Sequence, residues 1–305
     1  MHEGSARAIL AALLANLGIA VAKLVGWLVT GSAAMLAESI HSLADTGNQG
    51  LLFLGGRIAR RAPDREHPFG YGHERYFWAF VVALVLFSLG GLFSIFEGVE
   101  KLLHPAPVES PEWALGILGV AIVLESASLR TAMREARPHL GTASWWTFIR
   151  RSKSPELPVV LLEDTGALVG LAFAVTGVGL AALTGDSRWD ALGSLAIGAL
   201  LVAIAYVLSV ETRSLLIGES ASPVQVDAIE RAIAASADVQ RLIHLRTQHV
   251  GPDEVLVAAK VAYPADLDMR RLAAAIDDAE RRIREVVPTA RWIFLEPDLD
   301  RGKAS

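Results

Sequence analysis

Glu38-Ser-Ile-His41-Ser-Leu-Ala-Asp45-Thr-Gly-Asn48 sets four polar side chains inside an apolar run long enough to cross a bilayer. At about 100° per residue, positions 38, 41, 45 and 48 fall within roughly 80° of one another, so a helix carries all four on one face. An ionisable side chain at mid-membrane costs about 2.5–3.5 kcal/mol on insertion scales, and it is rarely kept without a partner or a function. The stripe is a candidate functional site for that reason alone.

The surroundings fit. Of 305 residues 52% are hydrophobic, which suits several membrane spans with a soluble part better than one globular domain. A net charge of −5 offers no basic footprint for nucleic acid. The absence of cysteine removes disulfides, thiolate metal sites and cysteine nucleophiles together, leaving the chemistry to His, Asp and Glu. The first apolar stretch is too long for a signal core and lacks the usual cleavage pattern, so it is expected to be a retained helix.

Six spans are expected, at residues 8–30, 32–54, 76–103, 112–132, 157–183 and 190–210. The first carries Asn16 and Lys23, the latter placed to snorkel. The second holds the stripe and is followed by Arg57, Arg60, Arg61, Arg65 and Arg75. The third opens with the interfacial aromatics Tyr76, Phe77 and Trp78, and its exit loop, 104–111, has no Lys or Arg. Arg134, Arg137, Arg150, Arg151 and Lys153 follow the fourth. Basic residues thus mark alternate loops, and the positive-inside rule puts both termini in the cytoplasm.

After Gly218 the composition changes. Residues 219–305 hold fifteen acidic and twelve basic residues with short periodic apolar segments, as in a small soluble domain. A helix at 223–235, strands at 239–249 and 254–263 joined by a Gly251-Pro252-Asp253 turn, a helix at 268–286 and a strand at 291–295 are expected. The second helix places Leu272, Ala275, Ile276, Ala279 and Ile283 on one face. The expected architecture is a membrane all-α six-helix bundle, 1–218, followed by a small α+β cytoplasmic domain of order αββαβ, 219–305. A domain of that size often gains stability by dimerising.

The i, i+4 spacing of His41 and Asp45 points both side chains the same way and lets them share one metal ion, and imidazole with carboxylate suits zinc and its divalent neighbours. Span five supplies Asp164 as its deepest plausible ligand. Glu163 lies about 100° around from it, on the face of Gly166 and Gly170. Glu38 and Asn48 are read first as interhelical hydrogen-bonding groups. Asn16, Glu97 and Glu125 are read as packing or cavity-lining groups. Gly26, Gly47, Gly55 and Gly56 are expected at close helix contacts.

These features together resemble the cation diffusion facilitator family over nearly the whole chain. Asp64-Arg-Glu-His67-Pro-Phe-Gly-Tyr71-Gly-His73-Glu74 resembles the family's Asp-x-x-His-x-Phe-Gly-His-Gly loop, and Glu97-Gly-Val-Glu100-Lys101-Leu, Ser126-x-Ser128-Leu and His244-Leu-Arg-Thr are similar to other family segments. The resemblance implies a homodimeric exporter in a lipid bilayer, exchanging a divalent cation for protons. Zinc is the expected cargo, with cobalt, manganese, iron and cadmium as alternatives, and the expected location is a bacterial inner membrane.

The same resemblance assigns His41, Asp45 and Asp164 as ligands. Val160 stands where the family usually has a His, so the chain resembles a branch with Leu-Leu-Glu-Asp in span five and leaves Glu163, Asn48, Glu38 or water for the fourth position. It also implies a second site at Asp64 and His67, where Tyr71 replaces a His and His73 is nearby. In the tail it leaves at best a weak site from His244, His249, Glu296 and Asp298. Two other classes stand beside it. A cation channel or membrane scaffold lacks a filter-like loop here, and an intramembrane metalloenzyme lacks a His-Glu-x-x-His helix.

Overall fold

The computed structural model of the chain describes residues 3–141 and 144–302, with side-chain surroundings from residue 17 onward, so Asn16 lies outside the described side chains. Contacts divide it into two units. One is the chain up to Gly56 with Phe77–Arg213; the other is Arg57–Tyr76 with the chain from Ser214 on.

The first unit is helical. Its elements are α1 (Glu3–Thr30), α2 (Ala33–Ile58), α3 (Glu74–Val85), a π-helical segment (Leu86–Leu92), α4 (Phe93–Leu103), α5 (Pro111–Leu140), α6 (Trp145–Arg151), α7 (Glu156–Thr184) and α8 (Arg188–Ile217). Among the described residues four helices are long and apolar enough to cross a membrane: Glu74–Leu103, Pro111–Leu140, Glu156–Thr184 and Arg188–Ile217. In α1 the described apolar stretch is Leu17–Thr30, and α2 is long enough but diluted by its polar residues. Met35, Val82, Leu86, Leu118, Leu171, Val178, Ile197 and Leu201 form the centre of the core.

Three details depart from the expected spans. The third is not a continuous α-helix. Ser88 bonds back to the Leu84 carbonyl at 2.8 Å, and the Gly90-Gly91 pair widens the turns, the setting in which π segments arise. This segment lies against α8 at Gly198, where an added Cβ would sit 2.9 Å from the Gly91 carbonyl, so neither position has room for a side chain. The fourth helix runs eight residues past the expected end at 132, to Leu140, because Ala132 and Ala136 continue its buried stripe against Phe148 and Leu161. α6 was expected as loop. Ser144 caps it by accepting from the Thr147 amide at 3.1 Å, and Phe148 anchors it. Of the four glycines expected at close contacts, Gly26 meets Met35 and Gly55 meets Trp78, whereas Gly47 and Gly56 face open space.

The second unit contains α9 (Pro223–Ala234), β1 (Arg241–Gly251), β2 (Glu254–Ala262), α10 (Met269–Val286) and β3 (Ala290–Asp298). A capping box of Ser222 and Gln225 starts α9, and Asp268 caps α10. The sheet order is β1-β2-β3, with β1 and β2 antiparallel and β2 and β3 parallel. Ile229, Ile233, Val255, Val257, Val261, Ala275, Ile283 and Ile293 form its core, with Leu272 and Ile276 packed against it. β3 is longer than expected because its parallel pairing with β2 continues to Asp298. The segment Arg57–Tyr76 belongs here: Phe69 stacks edge-on against Trp292 and Phe294 at 5.5 and 6.4 Å, and Arg75 pairs with Asp253 at 3.2 Å.

Candidate metal centre

The rotation of α2 is set at its first turn. Gly31 adopts a φ of +60°, the left-handed conformation that favours glycine, and turns the chain from α1. The buried Asp190 carboxylate of α8 then accepts from Ser32 Oγ at 2.6 Å and from the amides of Ala33 and Ala34 at 2.8 and 3.3 Å. Lys101 of α4 lies 2.9 Å from the same carboxylate and donates to the Gly31 carbonyl at 2.6 Å. An anion at a helix N-terminus satisfies its free amides and complements its dipole. This anchor fixes which way the polar stripe faces.

That stripe is buried. Glu38, His41 and Asn48 are fully enclosed, and the Asp45 side chain is 15% exposed. His41 Nδ1 stands 3.5 Å from Asp45 Oδ1, and neither ring nitrogen of His41 has a hydrogen-bond partner. Asp45 Oδ1, Asn48 Oδ1 and Glu38 Oε1 are likewise buried without one. Unpaired polar atoms in an apolar interior cost about 1–3 kcal/mol each, so a row of them on one helix face calls for a ligand.

Each neighbouring carboxylate is held by a donor. Lys23 does not snorkel: it turns inward from α1, fully buried, and donates to Glu38 Oε2 at 3.0 Å and Ser42 Oγ at 2.7 Å. A buried ammonium is tolerated only when so paired. Asn48 donates to Glu163 Oε1 of α7 at 2.7 Å, and Ser128 of α5 donates to Asp164 Oδ2 at 2.9 Å. Glu163 is thus turned toward α2. Gly170 gives Glu38 its space, since a Cβ there would lie 2.6 Å from Oε1. Val160 packs partly buried against apolar neighbours. Among the described residues no three His, Asp or Glu side chains are gathered at ligand spacing. His41 with Asp45, and Glu163 with Asp164, are two pairs on facing helices.

In the loop after α2, Asp64 acts as a turn former. Its carboxylate accepts from the amides of Glu66 and His67 at 3.0 and 2.7 Å and from Tyr71 Oη at 2.6 Å. The Tyr71 bond, then that of His67, holds the Asp64 carboxyl below the usual carboxylate range. His67 stacks on Tyr71 at 4.3 Å, with Nδ1 3.7 Å from Asp64. His73 turns instead toward Tyr76, and burial pushes its imidazole down.

The tail residues are not brought together. Between His244 and His249 the β1 register is unbroken, so an odd separation of five puts them on opposite faces of the sheet. His249 is buried, near the Gly251 carbonyl. Glu296 and Asp298 are bridged by Lys260 at 2.9 and 3.2 Å, which holds the Lys260 ammonium above its ordinary range. A lysine therefore occupies the place that a cation shared by these two carboxylates would take.

Sequence reasoning missed the inward turn of Lys23 and the Asp190–Lys101 anchor. The signal was available for Lys23 and Asp190: each is a charge at or inside an apolar helix with no opposite charge three or four residues away to neutralise it.

The family model for the cation efflux transmembrane domain matches residues 9–217. The human protein named proton-coupled zinc antiporter SLC30A9, mitochondrial, is 35% identical over 263 residues, covering 86% of this chain and 46% of that protein. The Xenopus laevis protein of the same name is 37% identical over 243 residues, covering 79% of this chain and 44% of its own length. The chain therefore spans less than half the length of these relatives. Zinc transporter ZitB of Pectobacterium atrosepticum is 26% identical over 277 residues, covering 89% of this chain and 81% of that protein.

Proposed function

The chain belongs to the cation efflux family, an integral membrane transporter family, and from that premise we propose that it exports a divalent metal ion, zinc first, while protons move the other way. The observation that carries the reading is the row of buried, unpartnered donor atoms on α2: both ring nitrogens of His41, with Asp45 Oδ1 and Asn48 Oδ1 beyond them. An apolar bundle gains nothing from burying them empty-handed. The names of the animal and bacterial relatives, zinc antiporter and zinc transporter, support zinc and protons as the exchanged ions.

His41, Asp45 and Asp164 are the ligands in this reading. Glu163 completes the set in preference to Glu38, which Lys23 already engages, and to Asn48, whose amide serves Glu163. Loading draws the two facing pairs together and releases Asn48 and Ser128. Such ligands bind metal only when deprotonated, so arrival of protons at the released face discharges the ion. Exposing the site to each side in turn makes the exchange an antiport.

The six-span topology adds α1 and α2 to the four long apolar helices. The Arg-rich segments at 57–75 and 134–153 put both termini in the cytoplasm. The tail from residue 219 is the dimerisation domain of a homodimer. A bacterial inner membrane is the proposed location, although the animal relatives of higher identity are named mitochondrial.

The test is flux into proteoliposomes of zinc, cobalt, manganese, iron and cadmium, with and without a pH gradient, for the wild type and Asp45→Ala. Gradient-dependent zinc flux abolished by Asp45→Ala is the expected result. Flux indifferent to both pH and Asp45 refutes the antiporter.

A further inference from the structure

α5 buries a straight stripe. Ala114, Leu118, Ala121, Ala132 and Ala136 are buried in the bundle, and with Glu125 and Ser128 they fall within roughly 80° around the helix. Glu125 and Ser128 occupy the gap in that stripe, and there alone its positions are only partly buried. Ser128 donates to Asp164 across the α5–α7 contact, so this face of α5 looks onto the carboxylates of α7. Glu125 stands one turn earlier. It is the sole charged residue between Glu112 and Arg130, in the middle of an apolar helix.

α5 packs against both α1, which carries Lys23, and α7, which carries Glu163 and Asp164, so Glu125 stands beside the charged groups of two neighbouring helices. Carboxylates facing one another cannot satisfy one another when ionised, and one ammonium does not neutralise them. One fully buried group in the same place awaits a ligand independently of that charge: neither nitrogen of the His41 ring has a hydrogen-bond partner. A divalent cation answers both needs.

We propose that Glu125 is a further ligand of the transported cation, a hand-off carboxylate on α5 that holds the ion on its way to His41, Asp45 and Asp164. The proposal rests on the exporter reading for the identity of the ion. It departs from the expectation that Glu125 merely lines a cavity. Like Asp45, it is only partly buried, which suits it to a hand-off position.

The chain has no cysteine, so Glu125→Cys in this chain introduces a single thiol. Reconstituted in liposomes, it should react with a water-soluble maleimide, at least tenfold more slowly under saturating zinc, and the protection should vanish when Asp45→Ala is added. A thiol that is not labelled, or that is labelled equally with and without zinc, overturns the proposal. In flux, Glu125→Gln should raise the zinc KM about tenfold with turnover at saturation retained, and Glu125→Asp should restore it to within about threefold. An unchanged KM in Glu125→Gln overturns it as well. If the wild type shows no gradient-driven flux, the exporter reading fails on its own, and zinc protection of the thiol still decides the role of Glu125.

Discussion

Replacing Asp190 with alanine removes the anchor that aims α2. The carboxylate is fully buried and accepts from Ser32, from the amides of Ala33 and Ala34, and from Lys101. Breaking a buried ion pair from one side costs about 3–5 kcal/mol, because the remaining charge is left unpaired. Losing the cap on two helix amides adds about 1 kcal/mol. Lys101 keeps only the Gly31 carbonyl as partial compensation. The net of about 4–6 kcal/mol is a large share of a typical unfolding free energy of about 5–15 kcal/mol. At about 2–4 °C per kcal/mol for a unit of this size, the melting temperature in lipid nanodiscs should fall by roughly 10 °C or more. The double variant Asp190→Leu with Lys101→Met should recover much of that loss, since replacing both partners by apolar groups leaves no orphaned charge. A melting temperature for Asp190→Ala within about 2 °C of the wild type, which corresponds to less than about 1 kcal/mol, refutes the anchor.

Other perturbations have equally definite outcomes. Gly198→Ala puts a methyl against backbone atoms of Gly91 and Ile95, both at 2.9 Å, and should cost about 1–3 kcal/mol in a melting assay, with no loss if the π segment and α8 are not in contact. Phe69→Ala removes two edge-on aromatic contacts worth about 0.5–1.5 kcal/mol each, so amide exchange in the segment 57–76 should accelerate roughly 5- to 150-fold. Unchanged exchange would place the loop free of the sheet. Tyr71→Phe should raise the Asp64 carboxyl toward its ordinary range in an NMR titration. Because the folded value lies below the unfolded one, Asp64 supports the loop above the ordinary Asp range and loses that role only as pH falls through its depressed value. A titration that does not move in the variant would exclude the Tyr71 hydrogen bond as the cause.

The helices were legible wherever apolar period and length agreed, as for α7 and the amphipathic α10. Hydropathy lost the end of α5, because Arg134 and Arg137 read as loop while the Ala132–Ala136 stripe carries the helix on. It also lost the π segment, which depends on a contact with Gly198 more than a hundred residues away. At the site, the shared face of residues 38, 41, 45 and 48 followed from helical period alone. The partners did not: which donor meets Glu38, Glu163 or Asp164 depends on how α1, α2, α5 and α7 pack, and a period along one helix carries no information about its neighbours. In the tail, strand parity alone separates His244 from His249, because the register between them is unbroken.

The docking of Phe69 on Trp292 and Phe294 also sets a clock for synthesis. The loop leaves the ribosome first, whereas the strand that receives it is made more than two hundred residues later. At about 5–20 residues per second the loop waits on the order of 10–45 s for its platform. During that interval the helices on either side of it can be threaded into the bilayer while the segment joining them is still unsupported. A nonsense mutation just before Ala290 would therefore leave its defect near residue 69, in a part of the chain whose own codons are intact.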